Sequence, residues 1–263
     1  MNFLEAILEH TRDEVARRKE SVPEELLRGR PLYARTPLSL SEALRRKSPA
    51  VIAEIKRASP SKGVIARDVD TARIARQYEG AGAAALSVLT EEKYFLGSLN
   101  DLEEARRAAS IPILRKDFIV DPYQVHESKS SGADAILLIA AALAPGDLAA
   151  LHEEAGSIGL ETLVEIHTRA ELESLRGLSL PLIGINNRNL VTLETDTRLA
   201  ASLGPVLPRG SLGVGESGIR SGSDVRRLSE CGLRAFLVGE HFMSSDDPGR
   251  ALSELIRNSG DPA

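Results

Sequence analysis

From residue 51 onward the chain alternates short apolar runs with longer stretches of mixed polarity. The runs at 51–55, 84–89, 111–115, 134–139, 161–165, 182–186, 211–214 and 234–238 have the length and composition of strands buried on both faces. The stretches near 70–80, 99–109, 121–131, 145–157, 168–176, 195–203, 221–231 and 247–257 have helical spacing. Asp70-Thr71, Asp121-Pro122, Pro145-Gly146-Asp147 and the Thr168/Glu171 pair are helix starts, and Gly80, Gly132 and Gly232 are stops. Eight such units predict a single (β/α)8 TIM barrel, with a doubly wound open sheet as the runner-up.

Residues 3–20 place Phe3, Leu4, Ile7, Leu8 and Val15 among charges, the pattern of an amphipathic helix, and a linker through Pro31 and Pro37 follows. This helix precedes the first strand and so stands outside the repeat. The expected organisation is an N-terminal helical extension over 1–50, capping the core or closing over a site, and a catalytic barrel over 51–263.

Barrels carry their chemistry at the C-terminal ends of the strands. The first strand ends in Glu54 and Lys56, which leave on the same side with Ile52 behind them, and then turns at Pro60 and Gly63. The third ends in Arg115-Lys116-Asp117-Phe118, the fifth in Glu165, the sixth in Asn186-Asn187-Arg188, the seventh in Glu216-Ser217-Gly218, and the eighth leads into Gly239-Glu240. Two ammonium groups and three carboxylates around one mouth point to proton transfers on an anionic organic substrate, with a lysine Schiff base as the rival chemistry. The glycine-bearing loops after strands seven and eight (Gly215, Ser217, Gly218, Gly239) offer backbone N–H groups where barrels hold phosphate.

Composition narrows the partners. A net charge of -5 gives no footprint for nucleic acid, and no apolar run approaches membrane-spanning length. One cysteine, Cys231, excludes an internal disulfide and reads as a small packed residue. The five histidines have no metal-site spacing and read as structural or surface residues, so no metal is expected. Gly213-Val214-Gly215-Glu216-Ser217-Gly218 lacks the spacing of a nucleotide loop. Acidic residues near the start, where a secretory signal would be basic, predict a cytoplasmic protein.

The segments VIAEIKRASPSKG (51–63), ALSVLTEEKYFLGSLNDL (85–102), PILRKDFIVDPYQVHESKSSGADAILLI (112–139), GLETLVEIHT (159–168), GINNRNL (184–190) and GESGI (215–219) together resemble the indole-3-glycerol phosphate synthase family. The resemblance implies a lyase without a cofactor. It would act as a monomer on a phosphorylated small molecule, 1-(2-carboxyphenylamino)-1-deoxyribulose 5-phosphate, by ring closure, decarboxylation and dehydration. It implies Lys116 as the acid on the carbonyl oxygen, Glu165 as the base with Asn186 orienting groups beside it, and Glu54 as a proton shuttle. Lys56 would hold the departing carboxylate or the phosphate; the order of acid and base action between the two lysines stays open. Glu216 would bond substrate hydroxyls and position Lys116 or Lys56. Ser217, Gly218, Gly239 and Glu240 would hold phosphate, and Arg188 would pair with the substrate carboxylate or with Glu216. Phe95, Phe118 and Leu137 would pack on the anthranilate ring, under a cover formed by the 57–63 loop with Ser59. Two departures stand out: His241 in place of a small residue, and Asn189 where the family often has aspartate. A phosphate-sugar isomerase and a non-catalytic metabolite-binding barrel are the alternatives; neither explains both lysines with all three glutamates.

Overall fold

Ala50–Ile55 (β1) is buried along its whole length, which only a strand covered on both faces can be. The computed structural model, which describes residues 2–260, pairs it in parallel with a strand on each side. The other strands are Ala85–Leu89 (β2), Ile113–Lys116 (β3), Ala135–Ile139 (β4), Glu161–Ile166 (β5), Leu182–Asn186 (β6), Leu212–Glu216 (β7) and Ala235–Val238 (β8). They close in the order β1-β8-β7-β6-β5-β4-β3-β2, the parallel eight-stranded barrel that the alternation predicted.

The two-residue period of a strand sorts the core into two layers. Val51, Ala53, Leu86, Val88, Ile136, Val164, Ile183 and Phe236 face outward into the helix layer. Ile52, Ala85, Leu114, Leu137, Leu163, Leu182, Val214 and Leu237 fill the barrel interior. Glu54, Lys116, Glu165, Asn186 and Glu216 continue the interior parity at the upper ends of their strands.

Around the barrel lie Thr71–Gly80 (α4), Leu99–Ala108 (α5), Pro122–Ser130 (α6), Pro145–Ser157 (α7), Arg169–Ser174 (α8), Arg198–Leu203 (α9), Gly222–Glu230 (α10), Glu240–Met243 (α11) and Pro248–Arg257 (α12). The expected cap residues Asp70, Asp121 and Thr168 each accept a backbone N–H of the helix they start. The helices α8 and α9 are shorter than their polarity pattern predicts, and α11 is too short to leave one. Ahead of α9, Thr195 forms an antiparallel bridge with Arg188. Cys231, a free thiol of intermediate exposure, caps the C-terminus of α10.

The N-terminal helix Phe3–Ser21 (α1) opens with a capping box between Asn2 and Glu5. The expected linker is replaced by Glu24–Arg28 (α2), a 3-10 turn at Pro31–Ala34 and Leu40–Arg45 (α3). These pieces are too short for periodicity to show; packing defines them, with Leu27 buried in a cluster with Val15 and Tyr123, and Leu40 and Leu44 entering the barrel's interior cluster. At the lower ends of the strands, Asp134 accepts hydrogen bonds from Arg35, Arg106 and the backbone N–H groups of Leu38 and Ile113. Glu161 accepts from Ser39 and Ser41. The extension thus packs against the barrel along its side and under its floor. No described helix is long and apolar enough to cross a membrane.

Asp134 is fully buried between two guanidinium groups. Asp134→Ala is expected to lower stability by about 3–5 kcal/mol, because it leaves those cations and two backbone donors unpaired. The urea unfolding midpoint of the variant reads this directly.

Candidate active site

Strand parity brings Glu54, Lys56, Lys116, Glu165, Asn186 and Glu216 into one cavity at the upper end of the barrel. Lys116 Nζ lies 2.6 Å from Glu165 Oε2 and 2.8 Å from Glu216 Oε2, one ammonium shared by two carboxylates from different strands. Asn186 donates its side-chain N–H to Glu165 Oε1 at 3.1 Å. Lys56 Nζ stands 2.6 Å from Glu54 Oε1, the pair that their common direction of departure from β1 predicted.

Crowding these charges out of water separates their proton affinities. Burial alone would push the Lys116 ammonium down, but Glu165, Glu216 and Glu54 outweigh it and hold it above the ordinary lysine range. Burial would likewise raise Glu165; Lys116 and His167 overcome this and keep it well below the usual carboxylate range. Glu216 goes the other way: burial, reinforced by the like charge of Glu165 and only partly offset by Lys116, pushes it up to about 8. Two neighbouring carboxylates, one held ionised and one inclined to keep its proton, form an acid and base set.

Glycines make room for this arrangement. A Cβ on Gly184 of β6 would stand 2.1 Å from Glu216 Oε1, and one on Gly239 would stand 2.3 Å from Glu54 Oε1. Gly239, expected as a phosphate donor only, therefore also clears the space that Glu54 occupies. Gly184 was legible in the sequence as part of a strand and nothing more.

Apolar side chains line the rest of the cavity. Phe95, Phe118 and Leu137 are there as expected, joined by Leu89, Ile139, Leu190 and Phe3 of α1. The Phe95 and Phe118 rings lie 6.4 Å apart in a tilted pair, and Phe3 meets Tyr94 edge to face at 5.2 Å. Phe95 is held by an unforeseen device: the buried Glu91 carboxylate accepts the backbone N–H groups of Lys93, Tyr94 and Phe95. Ser59 is buried in the wall, and Ala58 N–H donates to the Phe95 carbonyl, tying the loop after β1 to the loop after β2. Arg57 turns away from the cavity and anchors the base of its loop through two bonds to Asp101, at 2.6 and 2.7 Å.

At the opposite rim Ser217 and Gly218 both adopt left-handed backbone, with φ of 60° and 78°. For Ser217 that conformation is uncommon, and it is the mark of a constrained turn. Asn187, read from the sequence only as a strand end, braces it by donating to the carbonyls of Glu216 and Ser217 and accepting from Ala200 N–H.

The expected contact of Arg188 with Glu216 is not formed: that carboxylate is taken by Lys116, and Arg188 reaches Glu240 at 3.3 Å. On the Glu240 carboxylate Lys62, Arg188 and Arg220 all converge, which gathers three cations at the rim. The departure at Asn189 is mild: its side-chain oxygen accepts from Val191 and Thr192 N–H, which an aspartate oxygen does equally well. His241 lines the outer edge of the cavity beside Phe242.

Among the histidines, His126 is structural, wedged between Tyr33 and Glu154. His167 is enclosed between Glu165 and Glu171. It lies 3.3 Å from Glu165, and the one available signal was its parity with Glu165 at the end of β5.

Comparison with known proteins agrees with this geometry. The family model described as indole-3-glycerol phosphate synthase matches residues 4–255. A protein of that name from Burkholderia vietnamiensis is 48% identical over 259 residues, covering 97% of this chain and 99% of its own. Namesakes from Mycolicibacterium vanbaalenii and Salinibacter ruber are each 44% identical, covering 99% and 97% of this chain and 96% and 95% of their own. Among solved structures, the crystal structure of 3-hexulose-6-phosphate synthase superposes with a TM-score of 0.62 at 12% identity, covering 80% of this chain and 99% of its own, a likeness of fold alone. Since the match runs from the first helix through the last strand and takes in every unit of the barrel, the chain belongs to the indole-3-glycerol phosphate synthase family.

Proposed function

We propose a division of labour at this mouth for the reaction the chain catalyses, the conversion of 1-(2-carboxyphenylamino)-1-deoxyribulose 5-phosphate to indole-3-glycerol phosphate in tryptophan biosynthesis. The observation that carries the proposal is the Lys116 ammonium held between Glu165 and Glu216 beside an apolar wall.

In ring closure the aromatic carbon bearing the carboxylate attacks the ketone carbon, and the carbonyl oxygen gains a proton. Lys116 donates it, and its strong hold on that proton is relieved as charge builds on the oxygen. Loss of carbon dioxide returns the electron pair to the ring and leaves a hydroxyl at the new junction. In dehydration that hydroxyl leaves as water with a proton delivered by the Glu54–Lys56 pair. Glu165, kept ionised and oriented by Asn186, accepts the proton lost as the indole forms. Glu216, inclined to keep its own proton, bonds a substrate hydroxyl and fixes Lys116 from the other side.

Phe95, Phe118 and Leu137 enclose the anthranilate ring, under the loop that carries Ser59. Ser217, Gly218, Gly239 and the Glu240 backbone receive the phosphate, with Arg188 as the cation for a substrate carboxylate. Every group used comes from one chain, so this reading needs only a monomer, working in the cytoplasm and without a cofactor.

Because the sequence contains no tryptophan, indole product is visible by fluorescence without a protein indole background. With chelator present, the parent protein is expected to generate indole emission, and Lys116→Ala and Glu165→Gln to lower kcat by about 10²–10⁴-fold each while remaining folded. Folded parent protein that yields no product, or variants as fast as the parent, would sink the assignment.

Gly184→Ala is expected to push Glu216 off Lys116 and lower kcat by roughly 10²-fold, at a stability cost of about 1–3 kcal/mol. If the effect runs through that carboxylate, the same change in a Glu216→Ala background costs little further rate.

A further inference from the structure

His167 follows the last residue of β5 and leaves the chain with the parity of Glu165. Its side chain is only 9% exposed, and it is not among the residues lining the cavity. Nε2 lies 3.3 Å from Glu165 Oε1 and Nδ1 lies 3.5 Å from Glu171 Oε2, ion-pair distances at which neither nitrogen has the alignment of a hydrogen bond. Glu171 is itself fixed: it sits three residues after the N-cap Thr168 of α8, and its carboxylate accepts from His167 N–H and Thr168 Oγ1.

The Glu165 carboxylate is therefore gripped on both oxygens. Lys116 takes Oε2, while Asn186 and His167 approach Oε1. Read outward from the mouth, Glu216, Lys116, Glu165, His167 and Glu171 form one row that ends at a helix start.

We propose that His167 is a positioning residue for Glu165, its ring spanning the carboxylates of Glu165 and Glu171 and holding Glu165 in place from behind the cavity, without contact with substrate. The inference rests on the reading of Glu165 as the base. The groups facing the ring are Glu165 from β5 and Glu171 from α8; beyond Glu165 stand Lys116 of β3 and Glu216 of β7. Burial would push the imidazole down, but the two carboxylates at ion-pair distance outweigh it and hold it above the ordinary histidine range, which favours the cationic ring. A cation at that place favours the ionised form of Glu165. Removing it raises the pH at which Glu165 gains a proton, and activity that needs the ionised base is then lost earlier on acidification.

The test uses His167→Asn and Glu171→Gln, the latter keeping a capping-box residue at its position. Two readouts are taken: the pH profile of kcat/KM, and the carboxylate ¹³C titration of Glu165, assigned by its disappearance in Glu165→Gln. In His167→Asn the Glu165 titration and the acid limb of kcat/KM are expected to move up together by about one pH unit, a tenfold change in proton affinity. The kcat falls and KM stays within about twofold, because substrate contacts are intact. Glu171→Gln shifts both in the same direction by less.

A Glu165 titration in His167→Asn that matches the parent overturns the proposal; should that variant not fold, an unmoved titration in Glu171→Gln does so. Parent-like turnover in Glu165→Gln would instead remove Glu165 from the chemistry, and the resonance in the parent and Glu171→Gln would still report whether His167 governs its proton affinity.

Discussion

One ammonium group governs the mouth of this barrel. Lys116 is largely enclosed, among Glu165, Glu216 and, further off, Glu54, and that enclosure alone would lower its hold on its proton. The carboxylates prevent this, yet together they bring more negative charge than the two lysines balance. The excess is resolved by unequal sharing: Glu165 stays ionised and Glu216 is pushed toward its protonated form. The apolar wall sharpens that inequality by excluding water, and the glycines at 184 and 239 allow the carboxylates to lie close enough for it to exist. Cations gather at the rim, where Lys62, Arg188 and Arg220 surround Glu240.

Much of this was legible before any coordinates. A strand buried on both faces has to be apolar at both parities, so each one announced itself, and the alternation with helices left few folds to choose from. The polar residues that break the apolar rule at strand ends stood out for the same reason: Glu54, Lys116, Glu165, Asn186 and Glu216 interrupt the interior parity just where the barrel opens. What stayed hidden depends on contacts between distant segments. Nothing local says that Arg188 prefers Glu240 over Glu216, since their separation in sequence is bridged only by the closed sheet. Glu91 resembles any surface glutamate until its loop folds around it. A glycine inside a strand looks like a weak strand residue until the carboxylate that needs its missing side chain is known.

The N-terminal extension shows the same limit in its packing. Its first turn contributes Phe3 to the cavity wall, while α3 sends Leu40 and Leu44 into the bottom of the barrel interior. Between them, Tyr123 of α6 donates to the carbonyls of Arg18 and Val22, and Tyr33 meets the buried His126. The extension's amphipathic first helix could be read from spacing, but the short pieces after it are shaped by what they touch.

Arg115 and Lys116 are neighbours on β3 that face opposite ways. Arg115 is wholly buried in the helix layer against Asp117, Glu127, Thr90 and Ser128, while Lys116 faces the cavity. Each cation has partners on its own side only. If β3 slid by one residue against its neighbours, both layers would hold a charge with the wrong surroundings, at a cost of several kcal/mol for each unpaired ion. The alignment of this strand is therefore enforced by electrostatics as well as by apolar packing, so the cation that faces the cavity and the one that faces the helices together reject a misassembled barrel.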